Sequence, residues 1–319
     1  MRAAAPLLSA LALSWSLATP AAAETTLRVM SFNIWGGGAN EGKDVAETVA
    51  AIRAAGADIV GLQETRTEPA DCTAEACAAT GPSVAGEIAR VLGWQVQEQT
   101  ADSPALWANA VISRFPITAT SPGGLGVGLD VDGRAVWLFN IHLDDEPYQP
   151  YQLLGIEYGP APFLTTGAEA ADWARRTRGP AIDLLEADMK AAEGAAAVFV
   201  TGDFNEPGYL DWTEAAVARG THPVVVDWPT THRLADLGFV DTYRAANPDP
   251  VAKPAFTWTP TYDEAATDDH PDRIDFVFAR GAGLTVKGAW ILGEDGPRSD
   301  IVVMPWPSDH RAVAAEIGF

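Results

Sequence analysis

Thr201-Gly202-Asp203-Phe204-Asn205 follows the apolar run Ala195-Ala196-Ala197-Val198-Phe199-Val200. Such a run predicts a buried strand that ends at a glycine turn. A strand stopping there leaves a carboxylate and an amide, two residues apart, on one side of its carboxyl end. Open α/β-type sheets place their chemistry at such edges. There Asp203 holds or deprotonates a water, and Asn205 donates to an oxyanion or fixes the aspartate. The same pair also suits a capped turn, because Asp and Asn are ordinary turn residues. The remainder of the chain decides between these readings.

The chain has 319 residues, 47% hydrophobic and 20% charged, enough for a large core. Residues 1–23 read as a signal peptide: Arg2 is the positive n-region, Pro6 to Leu17 the apolar h-region, and Ala21-Ala22-Ala23 the cleavage site. The apolar core is too short and alanine-rich to span a membrane, and no later stretch reaches the required length. No Pro/Gly/Ser tract or charge block divides the chain beyond residue 23. The expectation is an exported protein, secreted or periplasmic, with one catalytic domain over 24–319.

The formal net charge is −22, and removing the leader takes away Arg2 and no acid. Four residues are lysines, and no run of Lys or Arg occurs. That balance disfavours a partner such as nucleic acid, whose binding needs several phosphate contacts. It leaves open a locally positive cleft. Cys72 and Cys77, the only cysteines, sit five apart in a polar loop. After export they are expected to form a small disulfide; half of a soft-metal site is the alternative.

In chain order, 27–34 reads as a strand with Asn33 near its end, followed by a Gly36-Gly37-Gly38 turn. Asp44 to Ala55 keeps helix spacing and stops at Gly56. Residues 58–64 form a strand closing on Glu64, and Ser83 to Leu92 a helix stopped by Gly93. Asn109 through Ile117 reads as one strand limited by Pro116, and 134–143 as another ending on His142, a residue that on a strand is often only structural. Residues 144–166 carry Tyr148, Tyr151, Tyr158 and Phe163, an aromatic segment suited to packing or to a substrate wall. Thr166 with Glu169 resembles a capping box, and Gly179-Pro180 is expected to break that helix before a second one through Glu193. Asp211 with Glu214 looks like a helix start. Residues 273–278, 284–292 and 311–317 are strands, the last directly after Ser308-Asp309-His310. The mixture suggests two packed mixed sheets with helices outside.

Six strand ends therefore carry polar groups: Asn33, Glu64, His142, Asp203 with Asn205, Asp275, and Asp309-His310. Hard carboxylates suit Mg²⁺ or Ca²⁺ better than Zn²⁺. A hard cation beside histidines is what hydrolysis of a phosphate ester requires: charge neutralisation, an aligned water and a donor for the leaving oxygen.

The sequence resembles the endonuclease/exonuclease/phosphatase superfamily, the deoxyribonuclease I-like fold. The strings are Ser31-Phe32-Asn33-Ile34, Gly61-Leu62-Gln63-Glu64, Asn109 through Ile117, Asn140-Ile141-His142-Leu143, Thr201 through Asn205, Arg273-Ile274-Asp275-Phe276 and Ser308-Asp309-His310. Each is weak alone; together, in order over roughly residues 27–319, they are specific. The resemblance implies an α+β, four-layer α/β/β/α sandwich of two mixed β-sheets flanked by helices, and a divalent-metal phosphoesterase using Mg²⁺, with Mn²⁺ or Ca²⁺ as alternatives.

Carried over, Glu64 is the principal metal ligand, with Asn33 and Asp309 near the metal and phosphate. Asp203 orients or deprotonates the attacking water, and Asn205 holds the phosphate or that aspartate. His310 pairs with Asp275, and His142 contacts the phosphate or assists the leaving group. Members of the family are assigned different bases, so Asp203 and His310 both stay open for that role. Arg66 and Asn109 are carried over as phosphate-binding, with a solvated surface arginine the alternative for Arg66. Where some DNA-repair members have an aspartate two residues after the asparagine, this chain has Trp35. His222, His232 and His270 match no motif; of the three, His270 lies nearest the Asp275 strand and is the first candidate for the cleft by position alone.

Two enzyme functions fit: an exported phosphodiesterase or phosphatase acting, as a monomer, on a small sugar- or lipid-linked ester, and an extracellular or periplasmic DNase I-like endonuclease. A catalytically dead binding module would show losses among the polar strand ends, and none is seen.

Overall fold

The computed structural model describes Met1 and residues 24–67, 81–261 and 266–319. The leader and the Cys72–Cys77 pair lie outside the described residues.

Apolar runs from both halves of the chain pair into two mixed sheets. In chain order the strands are β1 (Thr26–Asn33), β2 (Ile59–Gln63), β3 (Gln95–Gln99), β4 (Asn109–Ser113), β5 (Ile117–Thr120), β6 (Gly126–Val131), β7 (Arg134–His142), β8 (Ala197–Asp203), β9 (Val240–Asp241), β10 (Asp275–Arg280), β11 (Thr285–Gly293), β12 (Ile301–Val302) and β13 (Ala312–Gly318). One sheet has seven strands in the order β12-β11-β13-β1-β2-β4-β3; the other has six, β5-β6-β7-β8-β10-β9. Each has a parallel pair at its centre, β1 with β2 and β7 with β8, flanked by antiparallel neighbours.

Alternation along the central strands builds the layers, because successive side chains point to opposite faces. Val29 of β1 and Leu138 and Phe199 of β7 and β8 meet in the core between the sheets. Met30 and Phe32 face the other way, onto α1 (Val45–Ala55) and α2 (Ala85–Leu92). The remaining helices are α3 (Gln149–Leu154), α4 (Gly167–Asp188), α5 (Glu214–Arg219), α6 (Pro229–Asp236) and α7 (Thr242–Ala246). Phe139, Ile141 and Val200 share the second outer layer with Ala181, Ile182 and Leu185 of α4 and Leu234 of α6. The result is the expected α/β/β/α order. Phe199 is fully buried, so truncating it to alanine should cost about 3–5 kcal/mol.

A polar seam crosses the inter-sheet core and fixes how the two sheets face each other. Gln63 Nε2 donates to Asn140 Oδ1 at 2.5 Å, and Asn140 Nδ2 donates to Leu62 O and Gln99 Oε1, each at 2.9 Å. Gly61 makes room for it. A Cβ there would stand 2.0 Å from Thr201 Oγ1 and 2.4 Å from Asn140 Oδ1. Asn140 is paired at both its oxygen and its nitrogen, while Gln63 Oε1 has no partner in the seam; a slip of either sheet would leave the Asn140 amide unsatisfied as well.

Four local expectations are corrected. Residues 109–117 are not one strand: β4 ends at Ser113, and the chain crosses at Phe115-Pro116 to begin β5 in the other sheet. The Pro180 break does not occur. Helix α4 runs through it, because Ala174, Arg178, Ala181, Ile182 and Leu185 continue one buried face across the proline, and Arg178 donates to Asp144 O at 2.9 Å and Gln149 Oε1 at 2.5 Å. That burial offsets the lost hydrogen bond, a cost of about 3 kcal/mol. Asp211 does not start a helix. Thr213 caps α5, while Asp211 is buried between Arg244 and Arg273. Finally, β8 does not turn at Gly202 but continues to Asp203; a Cβ on Gly202 would lie 2.5 Å from Ile141 O.

Candidate active site

The strand register gathers the polar ends. Asp203 at the end of β8 is the Cα partner of His142 on β7 and of Asp275 on β10. Strands β1 and β2 end side by side at Asn33 and Gln63, with Glu64 next. Because β10 and β13 run antiparallel to β8 and β1, their amino ends, with Asp275 and His310, reach the same edge. Both sheets thus deliver groups to one place. Glu64 and Asn205 sit at φ of 52° and 46°, left-handed positions uncommon for such residues and frequent at functional turns.

Asn33 links the acids: its Nδ2 donates to Glu64 Oε1 at 2.8 Å and to Asp203 Oδ2 at 3.1 Å. Around Asp203 Oδ2 stand His310 Nε2 at 3.5 Å and His142 Nε2 at 3.7 Å. Asp203 Oδ1 accepts the Asn205 backbone N–H at 2.9 Å. His310 Nδ1 is 2.9 Å from Asp275 Oδ2. Ser308 Oγ donates to Asn33 O at 2.7 Å and thereby ties the Asp309-His310 segment to the end of β1.

Burial sets the electrostatics. It pushes the Glu64 carboxyl well above the usual range, and nearby Asp309 adds to that; it pushes Asp309 up to about 6. Asp275 is likewise raised by burial, against the pull of His310. Burial opposes charge on His310, yet Asp275, Asp203 and Asp309 outweigh it and hold the imidazole well above its ordinary value. This is an acid-rich, desolvated cluster around one imidazolium.

These groups open into a cavity of about 630 Å³. Glu64, His142, Asp203, Asp309 and His310 line its floor, and Trp35 and Trp107 stand beside them. Opposite, Tyr148, Tyr151 and Tyr158 pack edge to face, with ring centroids 4.8 and 5.7 Å apart. Their hydroxyls donate to Asp272 at 2.9 Å, to Asp269 and to Asp145, respectively. Burial and those carboxylates raise all three phenols, so they remain hydrogen-bond donors.

All ten residues singled out in the sequence for catalysis, metal or phosphate lie within the described fold, but two, Arg66 and Asn109, depart from their assignments. Arg66 does not line the cavity; Nη1 donates to Gly81 O at 3.0 Å and Nη2 is 4.0 Å from Glu98. Asn109 is buried, with Oδ1 accepting from Trp107 N at 3.1 Å, and positions that tryptophan from behind. Asn205 lines the cavity, donates one side-chain Nδ2 proton to Leu143 O at 2.9 Å, and holds Asp203 through its backbone N–H, the second of its two expected roles. His270 is also away from the cavity, paired with His222. The residues that the sequence reading passed over are Trp107, Asp144, Asp145 and Trp258, all lining the cavity; only the placement of the 144–166 aromatic segment hinted at them.

The family model described as the endonuclease/exonuclease/phosphatase family matches residues 30–310. The chain belongs to that family. A curated relative, an uncharacterized protein of Caenorhabditis elegans, is 27% identical over 336 residues, covering 97% of this chain and 96% of its own. Among solved structures the chain is similar to a family protein from Leptotrichia buccalis, at a TM-score of 0.54 and 14% identity over 92% of this chain and all of that one. It is also similar to a 3′ phosphatase from Neisseria bound to product DNA hairpin, at 0.51 and 17% over 91% and 98%. At these identities the solved structures share the fold.

As a member of the endonuclease/exonuclease/phosphatase family, the chain is a metal-dependent phosphoric ester hydrolase. Its residues fit a divalent cation. Glu64, His142 and Asp203 present ligand atoms within 4.8 Å of one another, and burial raises the carboxyls of Glu64 and Asp309 despite nearby His310, a cost that a bound cation would offset. Among the described residues, no helix is long and apolar enough to cross a membrane.

Proposed function

We propose that the chain is an exported phosphoesterase that hydrolyses a compact phosphodiester or phosphomonoester, sugar- or lipid-linked, by in-line attack of an activated water. The observation that carries this reading is the composition of the cavity wall. Among the described residues that line it none is Lys or Arg, while three tyrosines and three tryptophans line it together with the acids. A duplex is gripped through several basic contacts to its phosphates. A compact ester needs one phosphate site and an apolar or stacking wall for its leaving group.

Glu64 and Asp309 would hold the cation, with Asn33 setting the angle of Glu64 through its amide. Bound there, the ion supplies charge neutralisation for the phosphoryl oxygens. Asp203, steadied by Asn33 and by the Asn205 N–H, orients the attacking water and takes its proton. His310, kept charged by Asp275, offers an N–H to a phosphoryl oxygen, which makes it a donor and leaves the base role to Asp203. His142, beside Trp107 with ring centroids 5.9 Å apart, serves the leaving oxygen. Magnesium is the proposed ion, on the hardness of these ligands.

The alternative is a nuclease, which the DNA-bound Neisseria neighbour keeps in view. The experiment is kcat/KM on plasmid DNA and on a panel of small phosphodiesters and phosphomonoesters, with the same cation and salt. Efficient turnover of at least one small ester with weak plasmid nicking is expected. Efficient nicking with every small ester turned over poorly would establish the nuclease instead.

A further inference from the structure

Behind the tyrosine wall lies a second cluster of ligating groups that the hydrolytic site does not use. His222 Nδ1 and His270 Nε2 stand 3.1 Å apart, and their ligand atoms lie with a carboxylate oxygen of Asp272 within 4.8 Å of one another. His222 and Asp272 are buried. We propose that His222, His270 and Asp272 form a transition-metal site, separate from the catalytic cation, that takes Zn²⁺ or another imidazole-preferring divalent ion.

The spacing supports this. Two imidazole nitrogens at about 2.0–2.1 Å from a tetrahedral Zn²⁺ stand roughly 3.3 Å apart, close to the 3.1 Å found. Two nitrogens and one oxygen suit Zn²⁺, Co²⁺ or Ni²⁺ and disfavour Mg²⁺ and Ca²⁺. The surroundings hold the ligands in place. The Trp212 indole stacks on His222 at 4.4 Å and 13°, and its Nε1 donates to Asp272 Oδ1 at 2.9 Å. Such outer partners orient ligands while leaving lone pairs for a metal.

Charge separates a metal site from a plain N–H···N hydrogen bond. Asp272 is buried, and among the described residues no Lys or Arg forms an ion pair with it. A hydrogen bond between the two rings leaves the buried carboxylate without an opposite charge, whereas a cation held between them offsets it. Asp272 also accepts the Tyr148 hydroxyl and leads into Arg273 and Asp275. An ion here would clamp the tyrosine wall and the start of β10 from behind, as a structural site.

The test uses the mature chain, stripped with chelator and returned to excess Mg²⁺ before Co²⁺ or Zn²⁺ is added. Glu64→Gln serves as the background that weakens the catalytic site. Elemental analysis should find one tightly held Zn²⁺ per chain in wild type and in Glu64→Gln. Co²⁺ should give a visible d–d spectrum in both. His270→Gln, at the partly exposed ligand, should lose both signals and the rise in Tm on adding Zn²⁺, while far-UV circular dichroism stays native. Zn²⁺ retention in His270→Gln equal to that of wild type, or no retained Zn²⁺ in either, would overturn the proposal. If His270→Gln does not fold, the Co²⁺ spectrum of wild type decides: without imidazole coordination in it, the proposal fails.

Discussion

His310 Nε2 stands 3.5 Å from Asp203 Oδ2, although His310 precedes a strand of the seven-stranded sheet and Asp203 ends a strand of the six-stranded one. The proposed catalytic unit therefore straddles the two sheets and requires them to pack in register. His142 and Asn33 approach the same oxygen at 3.7 and 3.1 Å.

Groups converging on one carboxylate should act together. His310→Ala, His142→Ala and Asp203→Asn should each lose most activity, and the Asp203→Asn/His310→Ala double variant should be little worse than either single one. Steady-state kinetics checks this. Losses that multiply would mean that the groups work independently.

Stability of the edge rests on a buried charge network. Arg273 pairs with Asp211 at 2.9 Å and Asp241 at 2.7 Å, and Arg244 reaches Asp211 at 2.6 Å, all nearly inaccessible. Arg273→Leu leaves buried carboxylates underpaired and should cost about 3–5 kcal/mol. Urea denaturation measures it; a loss below about 1 kcal/mol would show that the network relaxes.

Metal binding and pH should be linked. Burial moves Asp309 from 3.8 up to about 6, so the metal-free fold binds more protons than the unfolded chain between those values. Its contribution to stability is present below that window and is lost as pH rises through it. A divalent cation should cancel this loss by stabilising the ionised acid, releasing protons as it binds. Calorimetry in buffers of different ionisation enthalpy should find proton release on cation binding near pH 6, reduced in Asp309→Asn. No release in wild type would count against Asp309 as a ligand.

Much of this was legible in the chain. Strand ends such as Glu64, His142 and Asp203 announced themselves because a short apolar run stopped on a polar residue, and local pattern carries that. What it does not carry is pairing over distance. Nothing near Arg66 signals Glu98 on β3, and nothing near His270 signals His222, 48 residues away. The crossing at Pro116 was hidden because β4 and β5 share one uninterrupted pattern, and Pro180 misled because tertiary burial of α4 outweighed a local helix breaker. The 144–166 aromatics read as a wall, but the carboxylates receiving their hydroxyls lie up to 124 residues away.

The most direct test is hydrolysis of the small-ester panel by wild type and Glu64→Gln, each in chelator and again with Mg²⁺ or Mn²⁺ restored. Glu64→Gln removes one charge at a side chain that Asn33 holds at 2.8 Å, with little change of shape. Wild type should be inactive in chelator and recover with cation. The variant should stay folded and remain roughly 10²–10³-fold slower or worse at every cation concentration, as for loss of a charge-stabilising group. Turnover by wild type in excess chelator, or undiminished turnover by Glu64→Gln, would contradict a cation-driven hydrolase centred on this residue.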